Sequence, residues 1–338
     1  LLLSRDYTQR SKARQRREQR ILIDTELNEA IERIASDNAS GASEIMRGAG
    51  AVFSLLKAQN VDQSLGVIQA RNAILEVGVS LIRAQPEMSP LLRLASAAVS
   101  AAESSTTSRE AFHSAEKAAS LFIEQSRSAA HAAALNAAAL IHDRMTLLTH
   151  SRSSTVLEAL LEARRAKRDF SVIATESRPL LEGRALAASL AANGVQVTLI
   201  ADATASLMMD HVDLVLVGAD RLTPQHSINK IGTRMIALAA REKMVPVLAA
   251  CDSSKFISEN HCGHLKGDYK APSELWEERP AGVEIANRYF EPVPLTLLKS
   301  IITESGPLSM DEAALRAKAA SIDRDLAAAL KKLTLEIK

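Results

Sequence analysis

An Asp, an Asn-Lys pair and a Gly-Thr pair follow one another closely in VDLVLVGADRLTPQHSINKIGT, residues 212–233. The Asp220 carboxylate can accept hydrogen bonds from hydroxyl groups or exchange a proton with a carbon acid. Asn229 and Lys230 offer a neutral and a cationic donor. The backbone amides of Gly232 and Thr233 fall where a helix is expected to begin, at the positive end of its dipole. A phosphate fits those donors, and a phosphorylated polyol would satisfy both cradle and carboxylate. A strand, a loop and a Thr-capped helix with no ligand would give the same spacing, so spacing alone leaves both readings open.

These groups need a scaffold that brings them to one edge. Val212–Val217 is an apolar run broken only by Asp213, the pattern of a strand buried on both faces of a parallel sheet. Similar runs recur at Thr146–Thr149, Phe170–Thr175, Val195–Ile200 and Val245–Ala250, between helical patterns at Thr155–Ala166, Glu182–Ala192, Thr204–Met209 and Asn229–Lys243. Such alternation predicts right-handed crossovers and a Rossmann-like parallel sheet, an α/β domain over residues 141–338. Ligands bind open sheets of this kind beyond the carboxyl ends of the strands. That rule collects His150, Ser151 and Arg152; Glu176, Ser177 and Arg178; Asp202; Asp220; and Cys251, Ser253, Ser254 and Lys255. Arg178, ahead of Pro179, is a candidate phosphate fork because guanidinium matches phosphate oxygens bidentately. An ordinary loop arginine in an ion pair is the plain alternative.

Residues 1–140 read differently. Ile21–Ala35, Ala42–Ala58, Gln63–Arg83, Leu92–Ala102 and Arg109–Ala137 place apolar residues three and four apart and are rich in strong helix formers. An all-helical N-terminal domain is expected, with Ser104–Ser108 as a break between helices. The basic run between Arg5 and Arg20 lacks the aromatic residues that stack on bases and is expected to be a solvated arm. Another helical pattern, Met310–Leu335, is expected to pack on the body or extend a dimer.

Composition narrows the class. With 47% hydrophobic and 24% charged residues the chain can bury a sizeable core, and a formal net charge of +1 argues against nucleic-acid binding through bulk positive charge. Cys251 and Cys262 are too few for a disulfide framework. No run approaches the roughly 18 apolar residues of a membrane span, and no signal-peptide core follows the basic stretch, so a cytoplasmic location is expected. The cluster of His261, Cys262 and His264, with Cys251 upstream, does not match a two-plus-two zinc spacing; no metal and no cofactor is expected.

Four segments in order carry a resemblance: THSRSSTVLEAL (149–160), TESRPLLEGRALAASLAANGVQVTLIAD (175–202), VDLVLVGADRLTPQHSINKIGT (212–233) and VPVLAACDSSKF (245–256). They resemble the family that joins the alpha, beta and delta subunits of initiation factor 2B with isomerases of ribose 1,5-bisphosphate and of 5-methylthioribose 1-phosphate. YFEPVPLTLLKSIITESG (289–306), which the family carries as a segment before a helix and a Thr-Glu-x-Gly turn, extends the likeness; SDNASGASE (36–44) is similar to the helical N-terminal domain. The resemblance implies a helical N-terminal domain followed by a Rossmann-like one, and pairing of chains through the second. In the isomerases it implies a Cys and an Asp as acid/base pair, with phosphate held by backbone amides, Arg and the Asn-Lys pair. By position, Asp220 matches the Asp, Asn229 and Lys230 the Asn-Lys pair, and Arg178 the Arg before Pro. Lys255 matches the lysine of the Ser-x-Lys-Phe segment, which would reach a second phosphate or a partner subunit.

The position of the family's Cys is held by Ser151, within Thr149-His150-Ser151. A thiol titrates at about 8.5 and can be tuned toward neutrality, whereas a hydroxyl is a far weaker acid and needs a strong base beside it. His150 adjoins it, but neighbouring strand residues face opposite ways. Cys251 is expected to be a buried structural thiol and Trp276 a packing anchor in the dimer region. The Thr-His-Ser-x-Ser-Ser pattern resembles the initiation-factor branch more than the isomerases. The reading drawn from it is a regulatory or non-catalytic protein, initiation factor 2B-like, with a pocket for a phosphorylated sugar or nucleotide. Such a protein would form a homodimer or higher homo-oligomer and have a translation factor as a further partner; no membrane and no specific nucleic acid are expected. The alternative is an aldose–ketose isomerase of ribose 1,5-bisphosphate or a related 1-phosphorylated pentose, with Asp220 catalytic and Ser151 in the thiol's place. A third reading is an interaction subunit with a vestigial pocket.

Overall fold

The computed structural model describes residues 25–37, 41–60, 65–259, 261 and 269–336. The basic run before residue 25, residues 38–40, and Cys262, Gly263 and His264 of the His-Cys cluster lie outside them.

The N-terminal part is helical, with α1 (Thr25–Ser36), α2 (Ala42–Asn60), α3 (Val67–Ala84), α4 (Ser89–Ala102) and α5 (Ser108–Ala138). The three- and four-residue spacing gives α3 one buried stripe, Ala70, Ala73, Ile74, Val77 and Leu81. That stripe joins Leu27, Phe53, Leu56, Leu94 and Phe112 in one apolar cluster. Carbonyls left open at helix ends find side-chain donors. Gln85 Nε2 donates to Ile34 O at 2.8 Å and Asp37 O at 2.9 Å, and Arg71 donates to Ala102 O and Ser105 O at 3.2 and 2.7 Å.

From residue 146 strands and helices alternate: β1 (Thr146–Thr149), α6 (Ser154–Arg165), β2 (Ser171–Thr175), α7 (Glu182–Ala192), β3 (Gln196–Ile200), α8 (Ala205–Met208) and β4 (Leu214–Gly218). Then come β5 (Arg221–Leu222), β6 (His226–Lys230), α9 (Thr233–Glu242), β7 (Val247–Ala250), β8 (Phe290–Pro294), β9 (Ser300–Thr303), β10 (Gly306–Leu308) and α10 (Met310–Ala319). Seven strands form one sheet in the order β10-β9-β7-β4-β1-β2-β3, parallel except for the β9–β10 pair. Alternating residues enter two separate cores. Leu148, Val215, Val217 and Ala249 face one, with Ile236 and Ala240 of α9 and Ala313 and Ala317 of α10. Leu147, Leu214, Leu216 and Ala250 face the other, with Val156 and Leu160 of α6 and Leu186 and Leu190 of α7. Both faces are covered, as in a doubly wound α/β fold, and the mixed architecture is the one expected. The chain leaves β1 toward β2 and β3 on one side and returns to β4 and β7 on the other, so the topological switch lies between β1 and β4.

A second, antiparallel sheet, β5-β6-β8, corrects one expectation. Asn229 and Lys230 do not open a helix; they end β6, paired with Glu291 and Phe290 of β8, and the helix begins only at Thr233. Gly232, at φ 104°, turns the chain between the two. Residues 295–297 form a single 3-10 turn rather than a helix. The terminal pattern divides into α10 and α11 (Arg324–Glu336), because Asp323 caps a new helix by accepting Asp325 N and Leu326 N, both at 2.9 Å.

By internal contacts the chain forms two units, residues 1–125 with 322–338, and residues 126–321. The division falls inside α5 rather than after residue 140, and α11 goes with the helical unit, where Leu326 and Leu330 are buried. Among the described residues no helix is long and apolar enough to cross a membrane, and no group of three or more His, Cys, Asp or Glu could hold a metal ion.

Candidate functional site

The two catalytic candidates flank the switch point, Ser151 just past β1 and Asp220 just past β4. Gly218 serves a close approach within the chain: a Cβ there would lie 2.6 Å from Ser153 Oγ, so the loop after β1 presses on the end of β4. Ser153 caps α6 by accepting Val156 N at 3.3 Å. Asp220 is half-buried, and its carboxyl is pushed above the ordinary range by burial; Lys255, Arg221 and Lys230 pull it down and Glu182 pushes it further up. A carboxyl held toward neutrality within the field of three cations has the properties of a general acid or base.

Lys230 is 2% exposed. Its Nζ donates to Glu182 Oε1 at 2.8 Å and lies 5.0 Å from the centre of the Tyr289 ring, over which Lys270 also lies at 5.1 Å. Tyr289 donates its hydroxyl to Glu274, and burial together with that carboxylate pushes the phenol well above its usual range. Glu182 opens α7, and its other oxygen, Oε2, is buried and accepts nothing from the described residues. Nothing in the sequence singles out Glu182, because an acid in the first turn of a helix reads as a dipole partner.

The expected phosphate donors are largely committed within the chain. Asn229 Nδ2 donates to Thr233 Oγ1 at 3.0 Å, and Thr233 Oγ1 donates to Lys230 O at 2.6 Å. Gly232 N and Arg234 N both donate to Glu291 Oε1, at 2.7 and 2.9 Å. A carboxylate from β8 therefore sits at the start of α9, the place read as a phosphate cradle. Asn229 and Lys230, successive on β6, point to opposite sides, one toward α9 and one toward Glu182.

Ser151 is half-buried at φ 65°, and its amide donates to Ser177 Oγ at 2.7 Å. Ser177 N and Arg178 N donate to the two oxygens of Asp202 at 2.7 and 2.8 Å, ahead of a cis Arg178–Pro179 bond. The Arg178 side chain is exposed, whereas Arg184 pairs with Glu176 at 2.8 Å. Lys255 is 8% exposed in the turn after β7. Cys251 is buried in the apolar core, where desolvation raises its thiol well above the ordinary value, as expected of a structural residue. Trp276 is half exposed in the single chain. The structure thus gathers Asp220, Lys230, Lys255 and Glu182 electrostatically, ties Ser151 to the Ser177–Arg178 backbone, and places Asn229, Gly232 and Thr233 in a separate capping network.

A sheet covered on both faces, with an acid and cations at its switch point, defines a Rossmann-like α/β protein with a helical N-terminal unit. The chain belongs to the initiation factor 2 subunit family, whose profile matches residues 38–310. It is 30% identical over 286 residues to the ribose 1,5-bisphosphate isomerase of Methanocaldococcus jannaschii, covering 83% of this chain and 90% of that protein. A translation initiation factor eIF-2B subunit 2-like protein of Pyrococcus horikoshii is 32% identical over 282 residues, 82% of this chain and 94% of the relative. The crystal structure of the Pyrococcus horikoshii translation initiation factor eIF-2B superimposes with a TM-score of 0.72 at 28% identity, covering 85% of this chain and 98% of that one.

Proposed function

We propose that the protein is an aldose–ketose isomerase acting on a pentose phosphorylated at C1, with ribose 1,5-bisphosphate the first substrate to test. The observation that carries this reading is Asp220: a half-buried carboxyl just past β4 at the β1–β4 switch, pushed up by burial and drawn down by the charges of Lys255, Arg221 and Lys230. The likeness to a ribose 1,5-bisphosphate isomerase along 83% of the chain supports isomerase chemistry over the non-catalytic pocket first read from Ser151. In the opened sugar, Asp220 moves a proton between adjacent carbons while cations around it balance the phosphates and the charge that develops on oxygen. The exposed Arg178 is the cation open to a phosphate, whereas Lys230 is held by Glu182; Lys255 adds its positive charge to the field at Asp220. The open Oε2 of Glu182 accepts a sugar hydroxyl. Ser151, too weak an acid to shuttle protons at neutral pH, donates a hydrogen bond to a substrate oxygen.

One observation favours a second reading, a regulatory initiation factor 2B-like protein that binds a phosphorylated sugar or nucleotide as a homodimer: the hydroxyl at Ser151 where the isomerase pattern has a thiol. Incubating the protein with ribose 1,5-bisphosphate and following ketose formation by NMR, beside Ser151→Cys, separates the two. Turnover by the parent protein is expected. Binding without turnover, with activity appearing only in Ser151→Cys, would establish the regulatory pocket instead.

A further inference from the structure

One buried titratable group has no part in that chemistry. His150, one residue past β1, is 1% exposed. Its Nε2 lies 2.7 Å from Ile231 O and its Nδ1 lies 2.6 Å from Thr175 Oγ1. A carbonyl oxygen only accepts, so Nε2 carries the hydrogen. Burial is the largest influence on the ring and holds its pKa below the ordinary value; Asp202 and Glu182 favour the cation and Lys230 opposes it. In the neutral ring Nδ1 then accepts the Thr175 hydroxyl. Ser177 Oγ lies 3.1 Å from Thr175 Oγ1, with Thr175 O a second acceptor at 3.3 Å, and itself accepts the Ser151 amide at 2.7 Å.

With the Ser177 hydrogen on Thr175 Oγ1 rather than on Thr175 O, the hydrogens in this chain run one way, from the Ser151 amide through Ser177, Thr175 and His150 to the Ile231 carbonyl. It crosses the ends of β1 and β2 and finishes at the turn between β6 and α9. Gly232 lies against the ring, since a Cβ there would meet His150 Nε2 at 3.1 Å. From the other side Asp202 holds the Ser177 and Arg178 amides.

We propose that His150 is a positioning residue: one buried imidazole sets the backbone that presents Ser151 and the turn that follows Lys230 in a common frame. It is not a base for the Ser151 hydroxyl, because the connection runs through two other hydroxyls to the Ser151 amide. The proposal rests on reading this edge as the sugar-phosphate site, so its test includes two readouts independent of turnover. The first is nitrogen NMR of labelled histidine, expected to show His150 as the neutral Nε2–H tautomer at neutral pH. The second is hydrogen exchange at the Ser151 amide.

His150→Phe removes both ring bonds, whereas His150→Gln places an amide N–H near the Nε2 position. In His150→Phe the Ser151 amide is expected to exchange about tenfold faster and kcat on ribose 1,5-bisphosphate to fall about tenfold, more than KM rises; His150→Gln restores most of both. If His150→Phe does not fold, the tautomer and the parent-like exchange of His150→Gln carry the decision. An Nδ1–H tautomer, or parent-like exchange and kinetics in His150→Phe, overturns the proposal. Should the parent show no turnover, the isomerase reading fails while tautomer and exchange still decide the role of His150.

Discussion

At the scale of single residues, the burial that suits Asp220 to proton transfer also makes it unfavourable to the fold. A carboxyl whose folded pKa is raised leaves stability intact below its ordinary value of 3.8 and removes it as pH rises through the folded value. Asp220→Asn is therefore expected to abolish ketose formation and, at neutral pH, to raise the melting temperature, with the gain vanishing in acid. Unchanged turnover in that variant would remove Asp220 from the chemistry. Cys251 gives the opposite expectation. As a buried, protonated thiol it should resist alkylation in the folded protein, read by mass spectrometry of its peptide, and Cys251→Ala should cost about 1–2 kcal/mol of stability without loss of activity. Both residues were legible in the sequence because each ends an apolar run, where side-chain placement follows from the strand itself. Glu182 was not, since its role depends on Lys230, forty-eight positions further on.

At the scale of elements, the start of α9 is stabilised by an acid from another strand. Glu291 receives two amide hydrogens there, so Glu291→Ala should lower stability by about 1–2 kcal/mol and speed exchange at Gly232 and Arg234 first. Equal exchange at those amides would show the contact to be dispensable. The brace between β1, β2 and the same turn carries a pH signature. For a histidine with a lowered folded pKa, stability is full above the ordinary value of 6.5 and declines as pH falls below it. Thermal melts should show that decline in the parent and a flatter curve in His150→Gln; matching slopes would locate the dependence elsewhere. The helical pattern read over Asn229–Lys243 took in the end of β6 because the strand's partner, β8, begins sixty residues beyond Lys230 and leaves no local trace.

For the whole molecule, the two-unit division puts the last helix with the first four. Removing residues 322–338 uncovers surfaces packed by Leu326 and Leu330, so amides of α3 and α4 should lose protection from exchange while β1 and β4 keep theirs. Parallel loss in the sheet would contradict that division. Much of this architecture is local in origin. Three- and four-residue apolar spacing determined the helices, and apolar runs alternating with helices determined a parallel sheet with chemistry at its carboxyl edge. Those patterns depend on backbone geometry repeating over a few residues, which a chain carries in its own order. The tertiary structure alone decided which groups meet there. It placed Glu182 on Lys230, Glu291 on α9, and His150 between Thr175 and Ile231, contacts between distant positions that arise only when packed strands and helices bring their ends together.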